Sequence, residues 1–299
     1  MCAQSSMHSW PRCAREGARR RPLETDGLSR PLRAGMHPLF RSLLCLGTFC
    51  VVTTHAADPA PKAEKPFTPG GIYRHGDMQR PRPVVVAPPT ASTPPGDAIV
   101  LFDGKDLTRF KRQPRKDDPD TSDAPKWKVA DGFMEVVGKT GTLDTRDQFG
   151  SCQIHIEWAT PAEVSGKGQG RGNSGILLHG WGEVQVLDSH ENDTYPDGQA
   201  AAIYHHHPPL VNVSRKPGEW QSYDIICECA KLDEKGRVLA PARLTVIHNG
   251  LVVHHALEME AKTQKFGFAL QDHHNPVRYR NIWVRPLHRY DESAVKPAQ

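Results

Sequence analysis

The chain has 299 residues, enough for one large all-β domain with tails or for two small domains. Only 37% of the residues are hydrophobic, so part of the chain does not pack, and 25 Gly with 26 Pro favour turns and extended linker. The formal net charge of +4 comes from an Arg-rich start between Arg12 and Arg41; the remainder is near neutral or mildly acidic, which gives no electrostatic basis for a nucleic-acid partner.

Residues 1–35 are rich in Arg, Pro and Ser and show no apolar period. A second start at Met36 opens a short basic region ending at Arg41, followed by an apolar run from Leu43 to Val52 and then Thr54-His55-Ala56. Small residues at the −3 and −1 positions after such a run form the layout of a secretory signal. The run falls short of the roughly 20 apolar residues that span a bilayer. The expectation is therefore a signal region over residues 1–56 with Met36 as the true start and cleavage near Ala56 or Ala57. The mature protein is then periplasmic or secreted, with no stable membrane insertion. An uncleaved anchor is the competing reading; Phe49 before Cys50 is too bulky for a lipoprotein signal.

Residues 57–96 carry ten prolines, all between residues 58 and 96, and read as a polyproline-like linker. Folding is expected to begin at Asp97, ahead of Ile99-Val100-Leu101-Phe102. Asp131-Gly132 between Trp127–Val129 and Phe133–Val137 predicts a hairpin. Cys152, Ile154, Ile156 and Trp158 alternate with polar residues, which predicts a strand with one buried face. The Gly-rich loop from Val164 to Gly172 reads as mobile. Short strand-like runs continue at Ile176–Leu178, Glu183–Leu187 and Tyr223–Cys229. Asn249-Gly250 joins Leu244–His248 to Leu251–His255 as the clearest hairpin, and Phe266–Leu270 and Asn281–Val284 close the set. No long segment has helical period. The fold class expected is all-β, a two-sheet antiparallel sandwich or jelly roll over residues 97–287, with a frayed tail over 288–299.

Past the cleavage point only Cys152, Cys227 and Cys229 remain, too few for a disulfide framework. Cys227 and Cys229 point to one face of a strand and cannot easily bond each other. Cys152 is placed to bridge to one of them if the strands are neighbours, and buried free thiols are the alternative.

The most informative run extends from Asn173 to Ser189. In a strand, Val184 and Val186 share the core face while Glu183 and Gln185 stand on the open face. By the same parity Asn173 and His179 share a face of the preceding strand. A carboxylate, an amide and an imidazole on adjacent strands suit a ligand with many hydroxyls, although a solvated sheet face has the same pattern. Asp188 at the strand end offers a second carboxylate, or a turn residue. His205 and His207 invite a metal reading, without matching ligand spacing. Tyr204 and Trp220 offer rings for a sugar or for the core.

Leu101-Phe102-Asp103-Gly104-Lys105-Asp106-Leu107, Trp127 to Gly132, Asn173 to Ile176, Glu183 to Ser189, Ala202-Ile203-Tyr204, Gly218-Glu219-Trp220 and Gln271 to Pro286 fall in an order that resembles the 3-keto-disaccharide hydrolase domain family. The resemblance implies a jelly roll of the concanavalin A-like lectin and glucanase type, acting on glycosides oxidised at C3. It implies a carbohydrate substrate, Glu183 as general base, and Asp188 and His273 as acids or metal ligands. Asn173, His179, Gln185 and Tyr204 would bind substrate. A divalent ion is compatible with an enediolate intermediate, but no ligand set is identifiable and no cofactor is certain. His205–His207 and His274 stand where the family commonly has Gly, which would narrow the cleft. Two other readings stay open: a non-catalytic carbohydrate-binding module, using aromatic residues such as Trp181, and a tethered structural domain.

Overall fold

The computed structural model describes residues 64–67, 73–90 and 93–288. The signal region and its cleavage point lie outside the described residues, as does most of the expected tail. Among the described residues no helix is long and apolar enough to cross a membrane.

Fifteen strands follow the Pro-rich stretch: β1 (Ile99–Phe102), β2 (Phe110–Gln113), β3 (Lys128–Ala130), β4 (Phe133–Glu135), β5 (Thr142–Thr145), β6 (Cys152–Ala159), β7 (Ser174–Leu178), β8 (Gly182–Val186), β9 (Gln221–Glu228), β10 (Lys231–Leu232), β11 (Val238–Ala240), β12 (Ala242–His248), β13 (Leu251–Met259), β14 (Phe268–Leu270) and β15 (Arg278–Pro286). They form an eight-stranded sheet in the order β13-β12-β9-β6-β15-β4-β3 with β1 also on β15, a five-stranded sheet in the order β2-β5-β14-β7-β8, and the small β10-β11 pair. The two large sheets pack as an antiparallel sandwich, the expected fold class.

Alternation explains the core. Ile154, Ile156 and Trp158 of β6, Tyr223, Ile225 and Cys227 of β9, and Leu244 and Val246 of β12 are all buried. They face Leu143, Ile176, Val184, Val186, Phe268 and Leu270 of the smaller sheet in one continuous cluster. Each such side chain contributes about 1.5–3 kcal/mol on leaving water. The intervening residues look outward, so the sandwich offers two polar faces on opposite sides.

Both predicted hairpins form. In the first, Val129 pairs with Met134 and Asp131 takes positive φ. In the second, His248 pairs with Leu251 across Asn249-Gly250, both at positive φ. Cys152 stands directly opposite Cys227, yet both thiols are free and buried.

Two expectations need correction. The loop from Val164 to Gly172 is pinned rather than mobile: it holds a 3₁₀ turn at Gly168–Gly170, and its Gln169, Gly168 and Arg171 all hydrogen-bond to the 188–198 segment. The Pro-rich stretch is not extended throughout. The Gly96 N–H donates to the Ala87 carbonyl at 3.0 Å and the Thr90 N–H to the Thr93 carbonyl at 2.9 Å, so residues 87–90 pair back against residues 93–96 just before β1.

Candidate active site

The outer face of the five-stranded sheet is built by register. Asp144, Ala269, Leu177 and Glu183 form one row across β5, β14, β7 and β8. Gly175 and Gln185 stand in the next row, and Gln271 joins it because its N–H donates to the Gly175 carbonyl. Val184 and Val186 are fully buried on the opposite face, so the acid and amide of Glu183-Val184-Gln185 are outward, as alternation predicts. Tyr223 reaches through the core to donate its hydroxyl to the Gln185 carbonyl at 2.8 Å, which fixes β8 from beneath.

Glu183 lies folded over Gly175; a Cβ built there would stand 2.8 Å from the Glu183 carboxyl carbon and 3.1 Å from its Cγ. Only glycine leaves that space. The carboxyl is half-buried, and burial alone raises its pKa from 4.5 to about 7. No hydrogen bond or ion pair to the Glu183 side chain occurs among the described residues. A carboxyl held near neutrality in a polar cleft suits proton transfer at physiological pH.

His179 follows β7 and turns onto the same face. Its Nε2 hydrogen-bonds Asp144 Oδ1 at 2.7 Å, and Gln113 donates to the other Asp144 oxygen. The Asp144 side chain is buried while that of His179 is 46% exposed, so the acid orients an imidazole that remains open to a ligand. The sharp connection to β8 needs positive φ at Gly180 (81°) and Gly182 (110°), and it drives Trp181 into the core against Phe266. Trp181 is 4% exposed and offers no binding platform, contrary to the lectin-like reading.

The segment 199–207 returns along the edge of β8. The Ala201 N–H donates to the Gln185 carbonyl at 2.8 Å and the Tyr204 N–H to the Glu183 carbonyl at 3.0 Å. This places Tyr204 beside Glu183. The Tyr204 and Tyr195 hydroxyls share a hydrogen bond of 2.5 Å, and the Tyr204 ring stacks on His205 at 4.1 Å. The Tyr195 phenol is raised to about 12 by desolvation, by Tyr204 and by the negative charges of Asp197 and Glu183.

Asn173 and Gln185 are brought to this face, but both are buried and engaged within the protein. The hub is Gln169, which the sequence reading overlooked inside a Gly-rich loop. Its Oε1 accepts from Gln185 Nε2 (2.9 Å) and Asn173 Nδ2 (3.3 Å), while its Nε2 donates to Thr194 Oγ1 (2.9 Å) and the Gly198 carbonyl (2.8 Å). All four capacities of the amide are filled. Through Gln169, Asn173 and Gln185 are thus tied to the wall carrying Tyr195.

Asp188 is also committed elsewhere. Its Oδ2 accepts from Arg171 Nε at 2.6 Å and its Oδ1 from the His190 N–H at 3.2 Å, with the carboxylate 3% exposed. The same guanidinium donates to the His190 carbonyl at 2.9 Å. This is a buried tie between two loops, with both carboxylate oxygens engaged within the protein. His273 lies exposed in the loop after β14, where its carbonyl accepts from Asn275 Nδ2 at 3.1 Å. His205, His206 and His207 are exposed. Among the described residues no group of three or more His, Cys, Asp or Glu side chains is arranged to hold a metal ion. The residues named for ligation thus do not assemble into a cage.

Gln271 is the other residue that sequence reasoning left unassigned. Its Oε1 is buried without a hydrogen-bond partner among the described residues. The Gln271 backbone is seated in the row of Gly175, over which the Glu183 carboxyl lies, so this orphaned acceptor belongs to the same sheet face.

Comparison with known proteins follows the same outline. The model of the 3-keto-alpha-glucoside-1,2-lyase-like domain matches residues 97–285. A solved structure of a candidate glycosyl hydrolase from Parabacteroides distasonis ATCC 8503 is 39% identical, with 74% of this chain and 100% of that chain covered and a TM-score of 0.64. A second candidate glycosyl hydrolase from the same organism is 17% identical, with 64% and 94% covered and a TM-score of 0.49. No curated protein matches the chain.

Proposed function

Because the chain belongs to the 3-keto-alpha-glucoside-1,2-lyase-like family, we propose that it is a carbohydrate-active enzyme that cleaves glycosides already oxidised to a ketone at C3. The single observation carrying this reading is Glu183, an unpaired, half-buried carboxyl with a pKa near 7 on the polar sheet face.

The ketone acidifies the C2 proton. Glu183, ionised, takes that proton; the C2–H electron pair forms the C1=C2 bond as the C1–O bond breaks. The departing oxygen collects the Nδ1 proton of a doubly protonated His179, whose Nε2–H Asp144 holds, and the ring is left neutral. Negative charge gathers on the C3 oxygen during proton removal, and the Tyr204 hydroxyl, beside Glu183 and hydrogen-bonded to Tyr195, donates to it. Gln271 accepts a sugar hydroxyl through its orphaned oxygen. Addition of water across C1=C2 afterwards gives net hydrolysis. Asp188, Asn173 and Gln185 act by fixing the loops around these groups.

The reaction is assigned to the periplasm or the exterior, following the signal region read at Met36 to Ala56. The test compares a 3-keto-glucoside with its unoxidised parent. Product release from the first alone, with exchange of the C2 proton for solvent deuterium and loss of both in Glu183→Gln, is the expected outcome. Equal cleavage of the unoxidised glycoside, or exchange that survives Glu183→Gln, overturns the reading.

A further inference from the structure

We infer that the outer face of the eight-stranded sheet carries a second carbohydrate site, a cleft for a small neutral saccharide on the opposite side of the sandwich from Glu183. The inference does not depend on the reaction proposed above. The cleft encloses about 500 Å³, within the range of small-molecule sites. It is floored by β15, β6 and β9, and Pro89 and Thr90 of the folded-back segment form one rim.

The floor is a cross-strand polar row. Trp283 stands opposite His155, and His155 opposite Asp224; in the next row Glu157 stands opposite Ser222. His155 Nδ1 bonds Asp224 Oδ1 at 2.9 Å, Gln153 Nε2 donates to the same oxygen at 3.0 Å, and the His155 ring stacks on Trp283 at 4.8 Å and 12°. Glu157 accepts from Arg280 Nε at 2.6 Å and from Asn281 Nδ2 at 2.8 Å.

A bulge builds this arrangement. The register between β15 and β6 shifts between Arg280 and Trp283, and Asn281 takes positive φ (46°). Regular alternation would send Arg280 and Asn281 to opposite faces. The bulge brings both to Glu157. An asparagine held in the left-handed region to re-aim a side chain is a feature concentrated at binding sites.

The chemistry selects the ligand. Each carboxylate in the cleft already has a cationic partner, Glu157 with Arg280 and Asp224 with His155, so a metal ion finds no free counter-charge, and the exposed Arg215 at the cleft donates to the Trp220 carbonyl. What remains open is neutral hydrogen bonding and an aromatic surface. Asp224 Oδ2 accepts no hydrogen bond among the described residues, Ser222 lines the cleft, and the Trp220 ring carries Arg280 over it at 4.1 Å. Rigid paired donors and acceptors beside indole surface match the alternating hydroxyl and C–H faces of a sugar ring.

The test uses the full chain carrying Glu183→Gln, so that only binding is read, and titrates unoxidised cellobiose, maltose and sucrose by calorimetry. At least one binds, and Trp220→Ala and Asp224→Asn each weaken it by about tenfold or more, while Tyr204→Ala on the other face leaves it unchanged. Thermal unfolding checks that each variant is folded; Trp220→Ala removes no buried hydrogen bond and serves if Asp224→Asn unfolds. The inference is overturned if none of the three binds at about 10 mM, if Tyr204→Ala removes binding that Trp220→Ala retains, or if a uronic-acid disaccharide binds more tightly than all three.

Discussion

Glu183 and Gly175 occupy one another's space: the carboxyl of the first fills the position where any side chain on the second would begin. Their strands are in register so that Gly175 faces Gln185, one step along from Glu183, and the acid bends diagonally onto the bare backbone. Gly175→Ala therefore evicts the carboxyl rather than breaking the sheet. The expected outcome is a fall in kcat/KM of about 100-fold or more, with a melting temperature shift of only a few degrees, roughly that of a 1 kcal/mol change. Unaltered activity in Gly175→Ala would show that the placement of Glu183 does not matter to the chemistry.

The same burial sets a pH dependence with a definite sign. The Glu183 carboxyl holds its proton up to about pH 7 in the folded chain but only to about 4.5 when unfolded. Folded protein binds the extra proton between those values, so stability declines as pH rises from 4.5 through 7, and the full penalty applies above 7. At complete burial it would be about 3 kcal/mol; with part of the carboxyl in water about 1–2 kcal/mol is expected. Glu183→Gln should therefore be inactive yet more stable than the parent at pH 8, with no gain at pH 4.5, by urea unfolding. Activity of the parent should rise with pH through about 7, because the base acts when ionised.

Much of this site was legible in the sequence, for a physical reason. Val184 and Val186 bracket Gln185, and period-two alternation leaves no choice of face for Glu183 once the valines are buried. The partners were less accessible. Phe110-Lys111-Arg112-Gln113 and Thr142-Leu143-Asp144-Thr145 are too short and too polar to read as strands, yet they become β2 and β5 and bring Gln113 and Asp144 to His179. Arg112 even occupies a core position, satisfied there by Asp118 and by the carbonyls of Asp120, Ser122 and Thr140. Hydrogen bonds over 35 residues of separation, such as His179 with Asp144, leave no trace in local pattern. Asp188 misled for the converse reason: a carboxylate at a strand end looks free until Arg171 is seen beside it.

Asp188 provides a direct contrast with Glu183. Asp188→Asn keeps an acceptor for Arg171 but removes the charge, leaving a largely buried guanidinium uncompensated. A loss of about 1–3 kcal/mol in stability is expected, with activity of the surviving folded enzyme within about threefold of the parent. A general acid would instead lose on the order of 100-fold or more in rate with little change in stability. Parallel denaturation and single-turnover measurements separate the two.

On the opposite face, His155 is expected to govern an alkaline stability transition. Burial pulls its pKa down, but the hydrogen bond to Asp224 and the charge of Glu157 at 3.8 Å outweigh it, and the imidazolium persists to about pH 9. A raised folded pKa stabilises fully below the unfolded value of 6.5, and the contribution disappears as pH rises through 9. His155→Gln should cost about 1–2 kcal/mol at pH 6 and converge with the parent above pH 9. A constant difference across that range would assign the cost to packing against Trp283 instead.

Asp144 offers the most discriminating test of the proposed acid. Its carboxylate accepts from His179 and from Gln113, so Asp144→Asn presents an amide that matches one neighbour and opposes the other. If the amide nitrogen faces His179, the Nε2–H loses its acceptor, and with it goes the carboxylate that supports the doubly protonated ring needed to release a proton from Nδ1. A drop in kcat of about 10- to 100-fold is expected, with KM within about threefold, because the substrate's own contacts are intact. Leaving-group dependence gives a second readout. A glycoside whose aglycone is a good leaving group, such as a nitrophenolate, needs no protonation, so Asp144→Asn and His179→Gln should lose far less on it than on a disaccharide. Equal losses on both substrates would place His179 in binding rather than in proton delivery, and the acid would then have to be sought among the tyrosines beside Glu183.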